Sequence, residues 1–428
     1  RMARLLLLAA LLAASVALIS ASCPGSKPNT LPVITEAPTL VKSVTNGKLF
    51  MATSVNPPIR VLHVYGDSYE RGFAAGQLLK EDLRVFLPNV VKYIDTKLEK
   101  VIEKYVPFMP TWLVNYIVTH GVDGALDLTA NLTKPYTPQH FVDEIRGMAD
   151  GSGMPFALIT RLNMIPELIK AACSMIGAWG PAIQFSGPDN TLFQLRALDW
   201  DTSGPFADFP LVTIHHPATG DGVPFATWGW TGFVGAITGY SSASVGICEK
   251  WWATYNGTYF MEGYPFPYLL RDILQFDPDS SAAFNRIMHA QRTCSIWVGL
   301  GDSDMNQMRV VQYSHDYLNI WSDKSFPAYN NHPNFPGLVY VDRYEQPSHS
   351  PCLASLLQAE YGHIDAAALI RTASLLQTGD AHAAIYDYHG NYMYVAAASS
   401  PSNPPIIGAY DRPFLRLDMS QMWSEPHP

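Results

Sequence analysis

Basic residues are scarce in this 428-residue sequence. It has 28 Lys and Arg residues against 37 Asp and Glu residues, which gives a formal net charge of -9. Nucleic acids and anionic membranes are bound mainly through Lys and Arg side chains that neutralise phosphates. We therefore expect no nucleic-acid partner and no electrostatic membrane binding.

Several familiar catalytic motifs are also absent. The sequence has no G-x-S-x-G elbow, no H-E-x-x-H, no Walker loop, no G-x-G-x-x-G after a strand, and no Cys/His cluster with zinc spacing. Serine hydrolases, zinc proteases and nucleotide enzymes therefore lose their main signals. We expect neither a metal nor an organic cofactor.

Only one long apolar run occurs, from Leu5 to Ile19, between basic residues and the small residues Ser20-Ala21-Ser22. This pattern is typical of a signal peptide, and the run is short of the roughly 20 residues that span a bilayer. A membrane anchor is the alternative interpretation. We predict a signal peptide over residues 1–22, a secreted, lysosomal or other endomembrane-lumen protein, and no stable membrane span.

Cysteines are few and odd in number: Cys23, Cys173, Cys248, Cys294 and Cys352. In an oxidising compartment at least one thiol therefore stays unpaired. The sequons at Asn131 and Asn256 are predicted glycosylation sites that fit a secretory route.

The residue pattern divides the chain into segments. Residues 23–58, rich in Pro, Thr, Ser and Asn, predict an exposed lead-in. Residues 59–172 begin with a strand and the capping-box spacing of Asp67 and Glu70, then turn mainly helical. Residues 173–428 contain short β-branched and aromatic runs separated by Gly, Pro and Asn, with helical patterns between them. Two of these runs, 384–388 and 392–396, are separated by His389-Gly390-Asn391 and predict a hairpin. These patterns predict an α+β layered architecture.

One group of motifs carries the functional interpretation. Ala172-Cys173-Ser174 is followed by Ala178-Trp179-Gly180 and then by Arg196-Ala-Leu-Asp199. The chain here resembles the acyl-coenzyme A:6-aminopenicillanic acid acyltransferase-like family, which is related to acid ceramidase, N-acylethanolamine acid amidase and choloylglycine hydrolase. Further agreement lies in Gly66–Gly76, Glu144–Gly153 with Asn163 and Glu167, and Asn331-His332.

The resemblance implies a four-layer αββα N-terminal-nucleophile hydrolase that cuts itself between Ala172 and Cys173. The segments 59–172 and 173–428 would then form one domain jointly and stay associated. Pairing of Cys23 with Cys352, as in acid ceramidase, would join the two chains.

The chemistry of an N-terminal cysteine makes this arrangement sensible. A thiol is nucleophilic as the thiolate, and its ordinary pKa of about 8.5 leaves little thiolate at neutral pH. Once the chain is cut, the α-amino group of Cys173, with an ordinary pKa of about 7.7 to 8.0, can accept the proton of its own thiol. The alternative is that Cys173 is an ordinary buried cysteine.

By resemblance, Asp199 holds the new amino group, Arg196 stabilises negative charge at the cysteine, and the amide of Asn331 binds the oxyanion. Arg196 and Asp199 are three apart on a predicted strand and should point to opposite faces unless a bulge intervenes. A structural ion pair is the alternative for these two. For the oxyanion role the neighbouring Asn330 is a second candidate, and Asn331 would then be an ordinary loop residue.

The second half of the oxyanion site departs from the family pattern. Ser241 stands where relatives carry asparagine, and Ser244 where they carry glycine, so a backbone N–H near Tyr240 or Ser241 is the remaining candidate donor. Trp230, with neighbouring aromatic residues, is a candidate wall of an apolar acyl pocket or part of the core.

Together these features predict hydrolysis of a linear, non-peptide N-acyl amide, a small amphipathic or lipid substrate, through a Cys173 thioester. An acyltransferase would use the same thioester. A phospholipase B-like lipid hydrolase and an inactive relative that binds lipid or protein are two further candidates.

Overall fold

The structure is a computed structural model, and it describes residues 23–105, 109–169, 171–187, 191–258 and 260–428. The predicted signal peptide, residues 1–22, lies outside the described residues. Of the helices in these ranges, none combines the length and apolar composition needed to cross a bilayer.

Within the described ranges, ten strands form the large sheet, in the spatial order β1-β2-β3-β6-β7-β8-β9-β10-β11-β12. All neighbours are antiparallel except β3 and β6, which run parallel. The strands are β1 (Thr39–Val44), β2 (Gly47–Ala52), β3 (Ile59–Gly66), β6 (Pro210–Pro217), β7 (Phe225–Trp230), β8 (Thr238–Ser241), β9 (Val245–Trp251), β10 (Ser295–Asp302), β11 (Gln307–Ser314) and β12 (Leu318–Trp321).

Six antiparallel strands of the described residues form the small sheet, in the order β13-β4-β5-β14-β15-β16. They are β4 (Ala172–Trp179), β5 (Leu192–Asp199), β13 (Leu338–Val341), β14 (His382–Asp387), β15 (Tyr392–Ala397) and β16 (Leu415–Asp418). The predicted hairpin near residue 390 is confirmed as β14 and β15.

The helices fall into three groups. A helical N-terminal part contains α1 (Ser68–Leu78), α2 (Lys80–Tyr105), α3 (Thr111–Thr133), α4 (Gln139–Ser152) and α5 (Phe156–Leu168). The large sheet is covered by α6 (Phe266–Phe276) and α7 (Ser280–His289). The small sheet is covered by α8 (Cys352–Ala359) and α9 (Ala366–Leu376), and α10 (Met419–Ser424) lies near the C-terminus.

The two sheets pack face to face because their strands alternate apolar side chains between two cores. On β4, Met175 lies in the core between the sheets, whereas its neighbour Ile176 lies in the core against α8 and α9. Helices on both outer faces complete four layers, so the predicted αββα architecture is confirmed.

The capping box of α1 is present as predicted. The Asp67 carboxylate accepts from the Glu70 backbone N–H and the Glu70 carboxylate accepts from the Asp67 N–H, both at 2.9 Å. The helical pattern that follows divides into α1 and α2 at Leu79. Close packing of α1 on α4 requires glycine, since a Cβ on Gly72 or Gly147 would lie 2.0 or 2.1 Å from a backbone carbonyl oxygen of the facing helix.

Residues 23–58, predicted as an exposed lead-in, are largely exposed, and part of this segment forms regular structure. Strands β1 and β2 form a hairpin that extends the large sheet beside β3. Cys23 forms a disulfide with Cys352, and the Asn29 side chain donates to two backbone carbonyls near residue 411. Composition alone misses these strands because their pairing with β3 is a tertiary contact, although Asn46-Gly47 is a hairpin turn signal.

Candidate active site

Cys173 lies at the start of β4, buried between the two sheets. The register pairs Ala172 with Asp199 and Cys173 with Leu198. The Cys173 side chain is 0% exposed, and its Sγ lies 3.7 Å from the carbonyl oxygen of Ala171. That carbonyl belongs to the peptide one residue before the Ala172–Cys173 bond, so the sulfur faces the chain segment that leads into β4.

The segment before Cys173 occupies a gap in the large sheet. Strand β8 pairs with β9 only as far as Thr238 opposite Cys248, so the edge of β9 beyond Cys248 has no β8 partner. There the backbone N–H of Trp251 donates to the carbonyl of Ala171 at 3.3 Å. The chain thus passes from an edge of the large sheet into the small sheet within two residues.

Arg196 and Glu249 form a buried ion pair beside this gap. Arg196 is 0% exposed, its Nη2 lies 3.2 Å from Glu249 Oε1, and its Nε donates to the Ile237 carbonyl at 3.4 Å. Among the described residues its Nη1 has no hydrogen-bond partner. Arg196 therefore forms its ion pair with Glu249 and not with Asp199, which was the alternative interpretation of the sequence.

These charges act on the Cys173 thiol in opposite directions. Burial raises the pKa of Cys173 well above its ordinary value, and the carboxylates of Glu249 and Asp199 raise this pKa further. The guanidinium of Arg196 and the ammonium of Lys250 lower it. In the uncut chain the thiol form is favoured.

Asp199 points away from Arg196, as the three-residue spacing on a strand predicts. Its carboxylate accepts from Thr378 Oγ1 and from the Gly379 backbone N–H, both at 2.8 Å, on the face covered by α9. Burial raises the pKa of Asp199 to about 6, and the Arg343 guanidinium at 3.7 Å opposes this shift. The backbone pairing with Ala172 still keeps Asp199 beside the bond that precedes Cys173.

Asn331, the predicted oxyanion-binding residue, is hydrogen-bonded to another loop. Its side-chain amide donates to the His349 carbonyl at 2.7 Å in the loop before α8, and no described hydrogen bond links it to Cys173. Its neighbour Asn330 is exposed. Sequence order alone cannot place this loop, because its position depends on how β13 docks on β4.

Tyr240 and Ser241 lie within the ladders of the large sheet. Tyr240 pairs with Gly246 and Ala226, and its hydroxyl donates to Asn391 Oδ1 at 3.3 Å. Ser241 Oγ accepts from the Val245 N–H at 3.2 Å, which closes the turn into β9. Ser244 has a φ of +59°, a left-handed conformation that explains why glycine suits this position.

An apolar cavity opens next to Cys173. It is partly open to solvent, and its lining includes Ala171, Leu198, Trp230, Ile237, Glu249 and Phe266. Trp230 thus lies in a cavity wall, whereas Trp228 is buried in the core between the sheets. A chain of methylene groups would find apolar walls here, beside a buried ion pair.

Two residues of this cluster are missing from the sequence-based prediction, Glu249 and Lys250. Both are buried, at 5% and 3% exposure, on β9. The available signal was a pair of adjacent charges inside the otherwise apolar strand Val245–Trp251 in a chain with few charged residues. Lys and Glu side chains are seldom fully buried unless they are paired with another group.

The remaining motif residues hold the helices to the large sheet. Glu144 accepts from Arg271 Nη2 at 2.5 Å, and Asn163 Oδ1 accepts from the Val234 N–H at 2.8 Å. Glu167 accepts from the Phe266 N–H at 2.6 Å, which orients the start of α6 against the cavity. These contacts explain the motif residues as scaffold rather than as reacting groups.

Asn131 and Asn256 are both exposed. Asn131 lies near the end of α3, and the Thr133 of its sequon is buried, where its hydroxyl donates to the Thr129 carbonyl at 2.8 Å. Glycosylation at either asparagine stays a prediction. Within the described ranges, no group of three or more His, Cys, Asp or Glu side chains is placed to hold a metal ion.

Comparison with known proteins places the chain among its relatives. No family model matches it. It is 43% identical over 441 residues to Protein dcd1A of Dictyostelium discoideum, with 98% of each chain covered. The chain belongs to the dcd1 family. Protein dcd1B of the same organism is 37% identical over 411 residues, which covers 93% of this dcd1-family chain and 81% of dcd1B.

Solved structures give partial similarities. A Caenorhabditis elegans N-acylethanolamine-hydrolyzing acid amidase ortholog matches with a TM-score of 0.40 and 12% identity, over 57% of this chain and all of that one. Penicillin V acylase from Agrobacterium tumefaciens matches with a TM-score of 0.38 and 12% identity, over 59% and 88% of the two chains. The αββα architecture of this chain is evident from its own sheets and helices.

Proposed function

We propose that this dcd1-family protein is a self-processing cysteine amidohydrolase that cleaves linear N-acyl amides through a thioester on Cys173. One observation carries the proposal. Cys173 is buried at the start of β4, next to a buried Arg196–Glu249 ion pair and to an apolar cavity lined by Ala171 and Leu198. A structural cysteine needs none of these neighbours.

Self-cleavage would proceed in two steps, transfer of the acyl group to sulfur and hydrolysis of the thioester. The Cys173 thiolate attacks the carbonyl carbon of Ala172, the C–N bond between the two residues breaks, and the proton lost by sulfur ends on the new amino group of Cys173. Water then hydrolyses the thioester, which leaves a carboxylate on Ala172 and a free thiol on Cys173. Because the nucleophile and the attacked carbonyl belong to adjacent residues of one chain, the attack is intramolecular.

Turnover would repeat the same chemistry on a substrate. The freed amino group of Cys173 accepts the thiol proton, sulfur attacks the amide carbonyl, and the leaving amine takes the proton. Asp199, paired with Ala172 across the ladder, is suited to hold the amino group. The acyl chain would lie in the cavity beside Trp230, because most of its walls are apolar.

The Cys23–Cys352 disulfide supports an oxidising compartment, and we propose a secreted or endomembrane-lumen location. The disulfide joins a residue before the cleavage site to one after it. The two processed chains would therefore remain covalently linked.

Intact mass spectrometry with N-terminal sequencing tests the proposal. We expect wild type to yield a fragment that begins at Cys173, and Cys173→Ala to stay uncut. Cys294→Ala, which removes another cysteine outside the disulfide, should be cut like wild type. Processed protein is then given N-acyl amides with and without an added amine acceptor. A wild-type chain that stays intact at neutral and acidic pH would refute the proposal, whereas transfer of the acyl group to the acceptor would favour an acyltransferase.

A further inference from the structure

The residue that the proposed mechanism leaves unexplained is Lys250. It is 3% exposed on β9, and within the described part of the chain its ammonium has no hydrogen bond and no salt bridge. A buried ammonium without a partner is costly, so such a group normally has an anion to face. The question is which anion that is.

Strand geometry directs Lys250 towards Cys173. Lys250 is paired with Trp297, which lies in the core between the sheets, so Lys250 also faces the small sheet. Cys173 shares its face of β4 with Met175, which belongs to the same core. The backbone N–H of Trp251 donates to the Ala171 carbonyl, and this hydrogen bond holds the end of β9 next to the start of β4.

The other charges near Cys173 already have partners. Arg196 is paired with Glu249 at 3.2 Å, and Asp199 lies 3.7 Å from Arg343. Asp342, which also acts on Lys250, accepts hydrogen bonds from Gln346 and from the Tyr344 N–H, at 2.6 and 3.1 Å. Of the two described cations that act on Cys173, Arg196 is therefore engaged in a salt bridge, and Lys250 is not.

We propose that Lys250 supplies the positive charge that stabilises the thiolate of Cys173. The step concerned is the ionisation of the Cys173 thiol. The thiol loses its proton, and the Lys250 ammonium stays protonated. The inference rests on the proposed function, since it explains how a thiol in the uncut chain reaches its reactive form before any free amino group exists. Burial lowers the pKa of Lys250, and the Cys173 thiolate and the Asp342 carboxylate oppose that shift, as expected of a cation that faces anions.

Three variants separate charge from shape. Lys250→Met removes the charge and keeps the length, Lys250→Arg keeps the charge, and Lys48→Met removes another largely buried lysine, whose partner is Glu425. Loss of a nearby charge commonly moves a pKa by about one unit or more, so Lys250→Met should lower the thiolate fraction at a given pH about ten-fold. Lys250→Arg and Lys48→Met should behave like wild type.

Two measurements are made on each variant across pH. One is the rate at which the fragment beginning at Cys173 appears. The other is the thiolate ultraviolet absorbance, taken as the difference from the same variant carrying Cys173→Ser. If Lys250→Met does not fold, as judged by near-ultraviolet circular dichroism, Lys250→Gln takes its place.

The outcomes distinguish this inference from the proposed function. A thiolate titration that moves to higher pH in Lys250→Met but not in Lys250→Arg supports the inference, even if wild type is never cut and the proposed function fails. Wild-type cleavage with an unchanged titration in Lys250→Met would overturn the role of Lys250 and leave the proposed function standing. An equal fall of the thiolate fraction in Lys250→Met and Lys250→Arg would also overturn it, because the effect would then not depend on the positive charge.

Discussion

Glu249→Gln is expected to be strongly destabilising, because it leaves the guanidinium of Arg196 buried without a counter-charge. The two side chains are 0% and 6% exposed, and their atoms lie 3.2 Å apart. At an effective dielectric constant of about 20, that separation corresponds to about 5 kcal/mol of attraction. Breaking one partner of a buried pair typically costs about 3–5 kcal/mol.

Thermal unfolding measures this loss. Unfolding entropy of about 2.1 cal/mol/K per residue, over a chain of this length, converts a loss of about 4 kcal/mol into a fall of the midpoint by about 4–5 °C. Urea unfolding gives the free energy independently. Glu425→Gln is the matched control, since it breaks the Lys48–Glu425 pair at 2.6 Å, whose side chains are 12% and 26% exposed, and should cost about 1 kcal/mol or less.

A double variant completes the test. Arg196→Met combined with Glu249→Gln removes the cation that Glu249→Gln alone leaves unpaired. The double variant should therefore lose less unfolding free energy than the two single variants lose together. If Glu249→Gln lies within about 1 kcal/mol of wild type, or if the single losses simply add, the claim that the pair is energetically coupled is wrong.

Three further predictions follow from other contacts. Burial lowers the pKa of His216 to about 4, so the unfolded chain binds a proton at this residue more readily than the folded one. The free energy of unfolding should therefore fall as the pH drops from about 6.5 towards 4. Over the same pH range the urea midpoint of His216→Gln should fall less than that of wild type. Cys352→Ser should let the two fragments separate on a non-reducing denaturing gel after cleavage, whereas wild type runs as one species; separation in wild type would contradict the disulfide. Ile237→Trp fills the cavity and should raise KM for long-chain N-acyl amides more than for short ones, and an equal change for both would place the acyl chain elsewhere.

Local patterns in the sequence predicted local structure well. The capping box of Asp67 and Glu70 and the hairpin of β14 and β15 are set by neighbouring residues and were confirmed. The layered α+β architecture was predictable for the same reason, since alternation along strands reports which faces are buried. The opposite directions of Arg196 and Asp199 also followed from strand periodicity.

The partners of the site were not predictable in this way. Glu249 and Lys250 act on Cys173 from the part of β9 that lies beyond the end of β8, and that placement is a property of sheet register. The position of Asn331 depends on a loop tied to His349, and the β1–β2 hairpin depends on pairing with β3. Each of these is a contact between segments distant in sequence, about which local periodicity carries no information.

The disulfide between Cys23 and Cys352 spans 329 residues and crosses the proposed cleavage site. After cleavage, the two fragments would form a single covalent molecule whose halves remain at high effective concentration. Reassembly after unfolding would then be unimolecular, and the unfolding midpoint of the cleaved protein would not depend on its concentration. Reduction would turn the same molecule into a two-component system that dilution can take apart.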